Sequence, residues 1–214
     1  MTGPGRRPGV AAFDFDGTLS ARDTLLPFLR RVRGTPRVLV AAARAIPQVR
    51  DRDAYKLTLI AHLFRGERGD RLAALGEAYV ASLEAGLRPE LLDRLRWHQA
   101  EGHATVLVSA SLGAYLRPLA ERLGLDAALA VELVVGADGL LTGEVVGGLN
   151  TRGPEKVSRL RAWVAQRHGP DADVELWAYG DSSGDEQLLA LADHPTWVGK
   201  RATRAGAPPA GDGG

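Results

Sequence analysis

The chain has 214 residues, 45% hydrophobic and 25% charged, and its 27 basic and 26 acidic side chains leave a net charge of +1. Such a composition fits one globular domain, or a domain with an insertion, and excludes a fibrous or disordered chain. The charge balance gives no ground for a nucleic-acid partner, and the absence of cysteine excludes disulfides, thiolate nucleophiles and cysteine-ligated zinc or iron–sulfur centres.

Residues 1–9 and 203–214 are rich in Gly and Pro and are expected to form loose tails. Arg6-Arg7 could open a signal peptide, but the apolar run behind it, Val10 to Phe13, falls short of the roughly 7–15 residues of a secretory core. The longest uncharged stretch, Ala104 to Leu116, is thirteen residues, where a spanning helix needs roughly 20. A cytoplasmic protein with no stable membrane insertion is expected.

Val10 to Asp16 (VAAFDFD) reads as a buried strand whose end leaves the core. Residues 23–101 read as four or five helices with no strand. Over 69–84 the apolar positions Leu72, Leu75, Tyr79, Val80 and Leu83 make one helical face, and Gly34-Thr35-Pro36, Gly66 and Arg88-Pro89 supply breaks. Ala104 to Ala110 is a second strand, followed by a helix carrying Leu112, Tyr115, Leu116, Leu119 and Leu123. Residues 128–146 are predicted to be a hairpin turning at Asp138-Gly139. A helix over 154–168 begins at Pro154; a strand over 174–180, a short helix over 185–192 and a strand over 196–199 complete the chain. This alternation predicts an α/β fold, a doubly wound, mostly parallel sheet. The core would comprise 10–20 and 102–202, with 21–101 inserted as a helical second domain.

Ligands bind such folds at the carboxyl ends of the strands. There the sequence delivers Asp14 and Asp16 with Thr18, then Ser109 and Ser111, then Lys156, then Asp181 and Asp185. Each has a plainer explanation. Asp16-Gly17 could make a hairpin turn, Ser109 or Asp181 could cap a helix, and Lys156 could be an exposed lysine. Asp14 and Asp16 lie two apart, on one face of a strand, and paired carboxylates invite a divalent cation or a shared proton. Only Lys56, Lys156 and Lys200 survive among the basic residues, and a lysine in a first helical turn opposes the helix dipole. It is the convergence of four segments that points to chemistry. His98 and His103, five apart, do not form a helical metal pair, and each is expected to be a surface or partly buried residue. Arg30, Arg31, Arg33, Arg37, Arg44 and Arg50 read as a solvated face, with contact to an anionic substrate or an anionic lipid surface as the alternative.

DFDGTLS at 14–20 resembles the first motif of the haloacid dehalogenase superfamily; Ser109, Lys156 and GDSSGDE at 180–186 resemble the other three, in order. The insertion resembles that family's helical type 1 cap, and the hairpin its phosphoserine-phosphatase-like branch. The resemblance implies a Rossmann-like core and a phosphatase acting on a small phosphorylated substrate. Asp14 would be the nucleophile and Asp16 the acid/base. Asp14, the Asp16 carbonyl and Asp181 would hold Mg²⁺, with Asp185 in or near that shell; Ser109, Lys156 and Thr18 would bind phosphate. Gly184 stands where phosphoserine phosphatases carry Asn, and Asp23 stands near a substrate-binding Glu, so phosphoserine itself is not implied. Tyr55, Lys56, Arg65 and Trp97 are candidate cap residues for specificity. Two alternatives remain open: a phosphotransferase using the same aspartyl phosphate, and a phospho-acceptor receiver module, against which the order of Lys156 before Asp181 argues. The sequence leaves the oligomeric state open.

Overall fold

The computed structural model describes residues 7–199. The tails expected at 1–9 and 203–214 lie outside it except for 7–9. There the expectation fails: Arg7 pairs with Asp173 at 2.9 Å and Gly9 opens the first strand. The remainder of the last predicted strand, through Gly199, is described.

Five parallel strands form one sheet in the order β3-β2-β1-β6-β7. They are β1 Gly9–Phe13, β2 Ala104–Leu112, β3 Ala127–Val131, β6 Glu175–Gly180 and β7 His194–Trp197. Strand β1 alternates between two cores. Ala11 and Phe13 join one cluster, with Leu107, Tyr115 and Leu116; Val10 and Ala12 join another, with Val106, Leu160 and Leu188. Both faces are therefore buried, as a parallel sheet requires, which is why the strand reads as an unbroken apolar run. Helix α8 (Pro154–His168) and helix α9 (Glu186–Leu191) cover one face. Helix α6 (Pro89–Ala100) and helix α7 (Gly113–Arg122) cover the other.

The insertion contributes α1 (Leu25–Arg33), α2 (Thr35–Ala45), α3 (Arg52–Phe64), α4 (Gly69–Glu77) and α5 (Val80–Glu84), with a 3₁₀ turn at Ile46–Gln48. The single helix expected over 69–84 is broken at Ala78–Tyr79. Tyr79 turns inward to pack on Phe28 and Tyr115, with ring centres 5.2 and 5.6 Å away, and its hydroxyl donates to the Thr24 carbonyl. Helix α6, grouped by the sequence with the insertion, packs on β2, with Leu91 and Leu95 in the same cluster as Phe13. The expected 128–146 hairpin is also redrawn. Its first half divides into β3, which joins the main sheet, and β4 (Leu133–Val135), which pairs antiparallel with β5 (Leu141–Val145). A continuous apolar run carries no mark of where a chain changes sheets, so periodicity alone misses this division.

No helix of the described residues is long and apolar enough to cross a membrane.

Candidate active site

Strand β1 lies at the centre of the sheet, flanked by β2 and β6, and its carboxyl end is the point where the connections diverge to opposite sides. Such a point leaves a crevice that no crossover helix fills. Asp14 is the first residue beyond β1, and its N–H donates to the Tyr179 carbonyl at 2.9 Å. A tight turn follows, closed by Thr18 N–H to the Phe15 carbonyl and Ser20 N–H to the same oxygen. Gly17 sits in this turn at φ 86°. A Cβ there would fall 2.2 Å from an Asp181 carboxylate oxygen, so only glycine lets the first and fourth motifs approach.

Asp14 is buried, and its Oδ1 accepts from Lys156 Nζ at 2.5 Å. The same ammonium donates to Asp185 Oδ1 at 2.6 Å. Lys156 is 2% exposed, in the first turn of α8, where the helix dipole disfavours a cation. Burial works against its charge, but the carboxylates of Asp14 and Asp185 outweigh it and hold the lysine protonated. Burial pushes the Asp14 carboxyl up to about 7 against the pull of Lys156, and the Asp185 carboxylate adds to the rise. Two carboxylates thus share one ammonium.

The carboxylates of Asp14, Asp181 and Asp185 can each place an oxygen within 4.8 Å of the others. Asp181 Oδ1 is buried with no hydrogen-bond partner among the described residues, and burial raises its carboxyl, with Asp185 adding to the effect. An orphaned carboxylate oxygen in a surplus of negative charge fits a hard divalent cation with oxygen ligands, the preference of Mg²⁺. Asp185 is fixed for this arrangement because its other oxygen, Oδ2, accepts from Ser182 N–H at 3.0 Å and Ser182 Oγ at 2.8 Å.

Asp16 does not join that cluster through its side chain. Asp14 and Asp16 lie beyond the strand, so the expected common strand face does not apply, and their carboxylates diverge. Asp16 Oδ1 accepts from Thr24 N–H at 2.7 Å and Thr24 Oγ1 at 2.6 Å; Oδ2 accepts from Ser111 Oγ. Burial raises the Asp16 carboxyl, and the Ser111 and Thr24 hydrogen bonds oppose the rise. Ser109 and Ser111 occupy the last, register-shifted stretch of β2, and Ser109 Oγ accepts from Ser111 N–H at 3.1 Å. Thr18 is fully buried beside Asp16 in sequence, and its Oγ1 has no partner.

Thr24 escapes a reading of strand ends. Its position just before α1 marks it as a helix cap, but its hydroxyl makes no cap hydrogen bond and turns to Asp16. Asn150, which donates to Asp53 at 2.8 Å, is also missed; it ties the loop before α8 to the head of α3 and has no local signature.

These groups, Thr18 and Thr24 excepted, line a cleft of about 450 Å³, together with Arg22, Arg52, Tyr55, Lys56 and Arg152. Of the cap candidates, Tyr55 and Lys56 face it. Lys56 donates to the Ala110 carbonyl, and burial pulls its ammonium down to about 8. Arg65 and Trp97 do not line it: Arg65 packs over Gly143, and Trp97 stacks edge-on to His98 and Trp177. His98 and His103 correct a further expectation. Both are buried, joined Nδ1 to Nδ1 at 2.8 Å, with His98 Nε2 2.9 Å from the Tyr179 hydroxyl.

Comparison with known proteins identifies relatives in sequence and in fold. The chain is 35% identical over 204 residues to the protein CicA of Caulobacter vibrioides, covering 90% of this chain and 87% of that protein. Its fold is similar to that of a protein of unknown function from Bordetella pertussis, with a TM-score of 0.71 and 25% identity over 89% of this chain and 90% of the other. It also resembles a phosphoserine phosphatase solved as a phospho-aspartyl intermediate analogue, with a TM-score of 0.60 and 21% identity over 87% and 84% of the two chains. The family model for haloacid dehalogenase-like hydrolases matches residues 11–190, and the chain belongs to that family.

Proposed function

We propose that the protein is a Mg²⁺-dependent phosphomonoesterase that hydrolyses a small metabolite or lipid-derived phosphate through an aspartyl phosphate on Asp14. The observation that carries the proposal is the division of labour between two aspartates, Asp14 buried and Asp16 half-buried. Asp14 is paired with an ammonium beside two further carboxylates, while Asp16 is held apart by two hydroxyls and an N–H.

When bound by Asp14, Asp181 and Asp185, Mg²⁺ would neutralise the repulsion between a phosphate dianion and the attacking carboxylate. Lys156 carries out the same task from the protein side. A carboxylate oxygen of Asp14 attacks phosphorus, and the bond to the leaving oxygen breaks. Asp16, whose carboxyl is raised by burial, gives that oxygen its proton. Asp16 then takes a proton from water as the water oxygen attacks phosphorus. The Asp14–phosphorus bond breaks, and inorganic phosphate and the Asp14 carboxylate are restored. One positioned acid/base thereby serves both displacements. Ser109, in the last stretch of β2, and Thr18, in the turn after Asp14, would receive phosphoryl oxygens. Helices α1–α5 would form the cap that excludes water and reads the leaving group.

The test is phosphate release from a panel of phosphomonoesters, with Mg²⁺ and with EDTA, beside Asp14→Asn. Mg²⁺-dependent release that Asp14→Asn abolishes supports the proposal. Activity that survives Asp14→Asn sinks it, and stoichiometric transfer to an added alcohol without phosphate release would assign a phosphotransferase.

A further inference from the structure

From Thr24 to Arg50 the chain runs 27 residues with six arginines and no Asp or Glu, in a protein whose overall charge is only +1. Helix α2 lies in this stretch and is apolar on two sides. Val38, Ala41 and Ala45 are buried against the body of the protein. Leu39, Val40 and Ala43 point outward, and the row continues through Ile46 and Val49. Leu39, Val40, Ile46 and Val49 are 61%, 52%, 59% and 61% exposed. A helix apolar all round is ordinarily enclosed, and a contiguous exposed apolar strip marks a surface that meets something.

Arg37, Arg44 and Arg50 border this strip, exposed and without an ion pair among the described residues. Between α2 and α3 the face opens into a cleft of about 330 Å³ lined by Arg33, Arg37, Arg44 and His62 with Val40 and Leu63, and no carboxylate of the described residues lines it. Arg33 is held by Glu67 at 2.6 Å, yet its Nε is buried without a partner. The nearby acid Asp51 is committed to capping α3 through Asp53 N–H and Ala54 N–H.

We propose that the outer face of α2 docks on an anionic lipid bilayer surface. The apolar row Leu39, Val40, Ile46 and Val49 would enter the headgroup boundary, and the arginine-lined cleft would accept lipid phosphates. Apolar insertion ringed by arginine is the physical signature of an interfacial helix, and each basic residue near an anionic leaflet adds to the attraction. A second copy of this chain is the poorer occupant, because pairing two such faces would oppose arginine to arginine with no acid to offset them. The proposal does not depend on the catalytic assignment.

The test is sedimentation of the full chain with vesicles of phosphatidylcholine alone and of phosphatidylcholine with phosphatidylglycerol, at low and high salt. It is run beside Arg37→Glu/Arg44→Glu and Leu39→Asp/Val40→Asp. All four side chains are exposed, and circular dichroism checks that both variants fold. The expected result is binding to the phosphatidylglycerol vesicles only, weakened by salt and by roughly tenfold or more in each variant. Equal recovery with both lipid compositions, or binding that neither variant moves, overturns the proposal. So does a dimer in solution, seen by sedimentation velocity, that Leu39→Asp/Val40→Asp dissociates, since it would give the face to a second copy.

Discussion

Asp16 owes its position to the side chains of Thr24 and Ser111 and to the Thr24 backbone N–H. Thr24 gives it two hydrogen bonds and Ser111 a third, and the Thr24 hydroxyl also lies 3.3 Å from that of Tyr115. Replacing Thr24 by Val keeps the shape and the backbone N–H but removes the hydroxyl. With one of the three anchors of the acid/base lost, Thr24→Val is expected to lower kcat roughly tenfold to a hundredfold with little change in KM. Steady-state kinetics on the best phosphomonoester would check this; a rise in KM at constant kcat would place Thr24 in substrate binding. Lys156 poses the complementary case. It bridges two buried carboxylates, and removing one partner of such a group costs about 3–5 kcal/mol. Lys156→Met is therefore expected to lower stability as well as activity, by a shift in urea midpoint that added Mg²⁺ partly reverses.

Among the elements, the contact of α4 with α7 turns on one glycine. A Cβ on Gly76 would lie 1.9 Å from the Ala114 carbonyl oxygen. In an unrestricted helix, Gly→Ala stabilises by about 1 kcal/mol. Here the clash is with backbone, which cannot rotate away, and overpacking costs about 1–3 kcal/mol. The sign reverses: Gly76→Ala is expected to be net destabilising in urea, and a stabilised variant would mean that the two helices separate freely. The break of α4 from α5 at Tyr79 and the division of the 128–146 run between two sheets belong to this scale too. In each, an apolar sequence is satisfied by a choice among partners that are distant in the chain.

At the scale of the whole molecule, the candidate metal ligands come from three places: the end of β1, the end of β6 and the turn before α9. Drawing them together costs charge repulsion, so a cation that binds only the folded arrangement should stabilise the fold. At a hundredfold excess over Kd, binding contributes about 2.7 kcal/mol, which for this size raises Tm by roughly 5–10 °C. Thermal unfolding with Mg²⁺ and with EDTA measures it, and Asp181→Asn should abolish the difference. A second whole-molecule property comes from the stack against the inner strands β1 and β6, where His98 is enclosed by Phe13, Trp177, Tyr179 and His103. Burial, and then the nearby His103, Arg94 and His194, hold the His98 imidazole down at about 3, below its ordinary 6.5. The unfolded chain therefore binds a proton that the folded one refuses, and stability falls as pH drops from about 6.5 towards 3. Between about pH 7 and 5 the loss assigned to His98 is about 2 kcal/mol. His98→Gln should shrink the pH 7-to-5 difference in urea midpoint, whatever its effect at neutral pH; an unchanged difference would assign the acid sensitivity elsewhere.

By itself the sequence determined which chemical groups exist and on which strand ends they fall. An apolar run that stops at an aspartate, or a Pro that opens a helix, is a local pattern, and local patterns are governed by interactions within a few residues. This is why Asp14, Asp16, Ser109, Lys156, Asp181 and Asp185 were legible without coordinates, together with the parallel α/β order. What each group faces was not legible. That Asp16 turns away from Asp14 towards Thr24, that His98 and His103 are enclosed, that α6 covers β2 and that α2 keeps an apolar side outward are decided by which surfaces meet across the fold. Burial is a property of the assembled layers, and the free energy that fixes it comes from contacts between residues tens of positions apart, where periodicity carries no information.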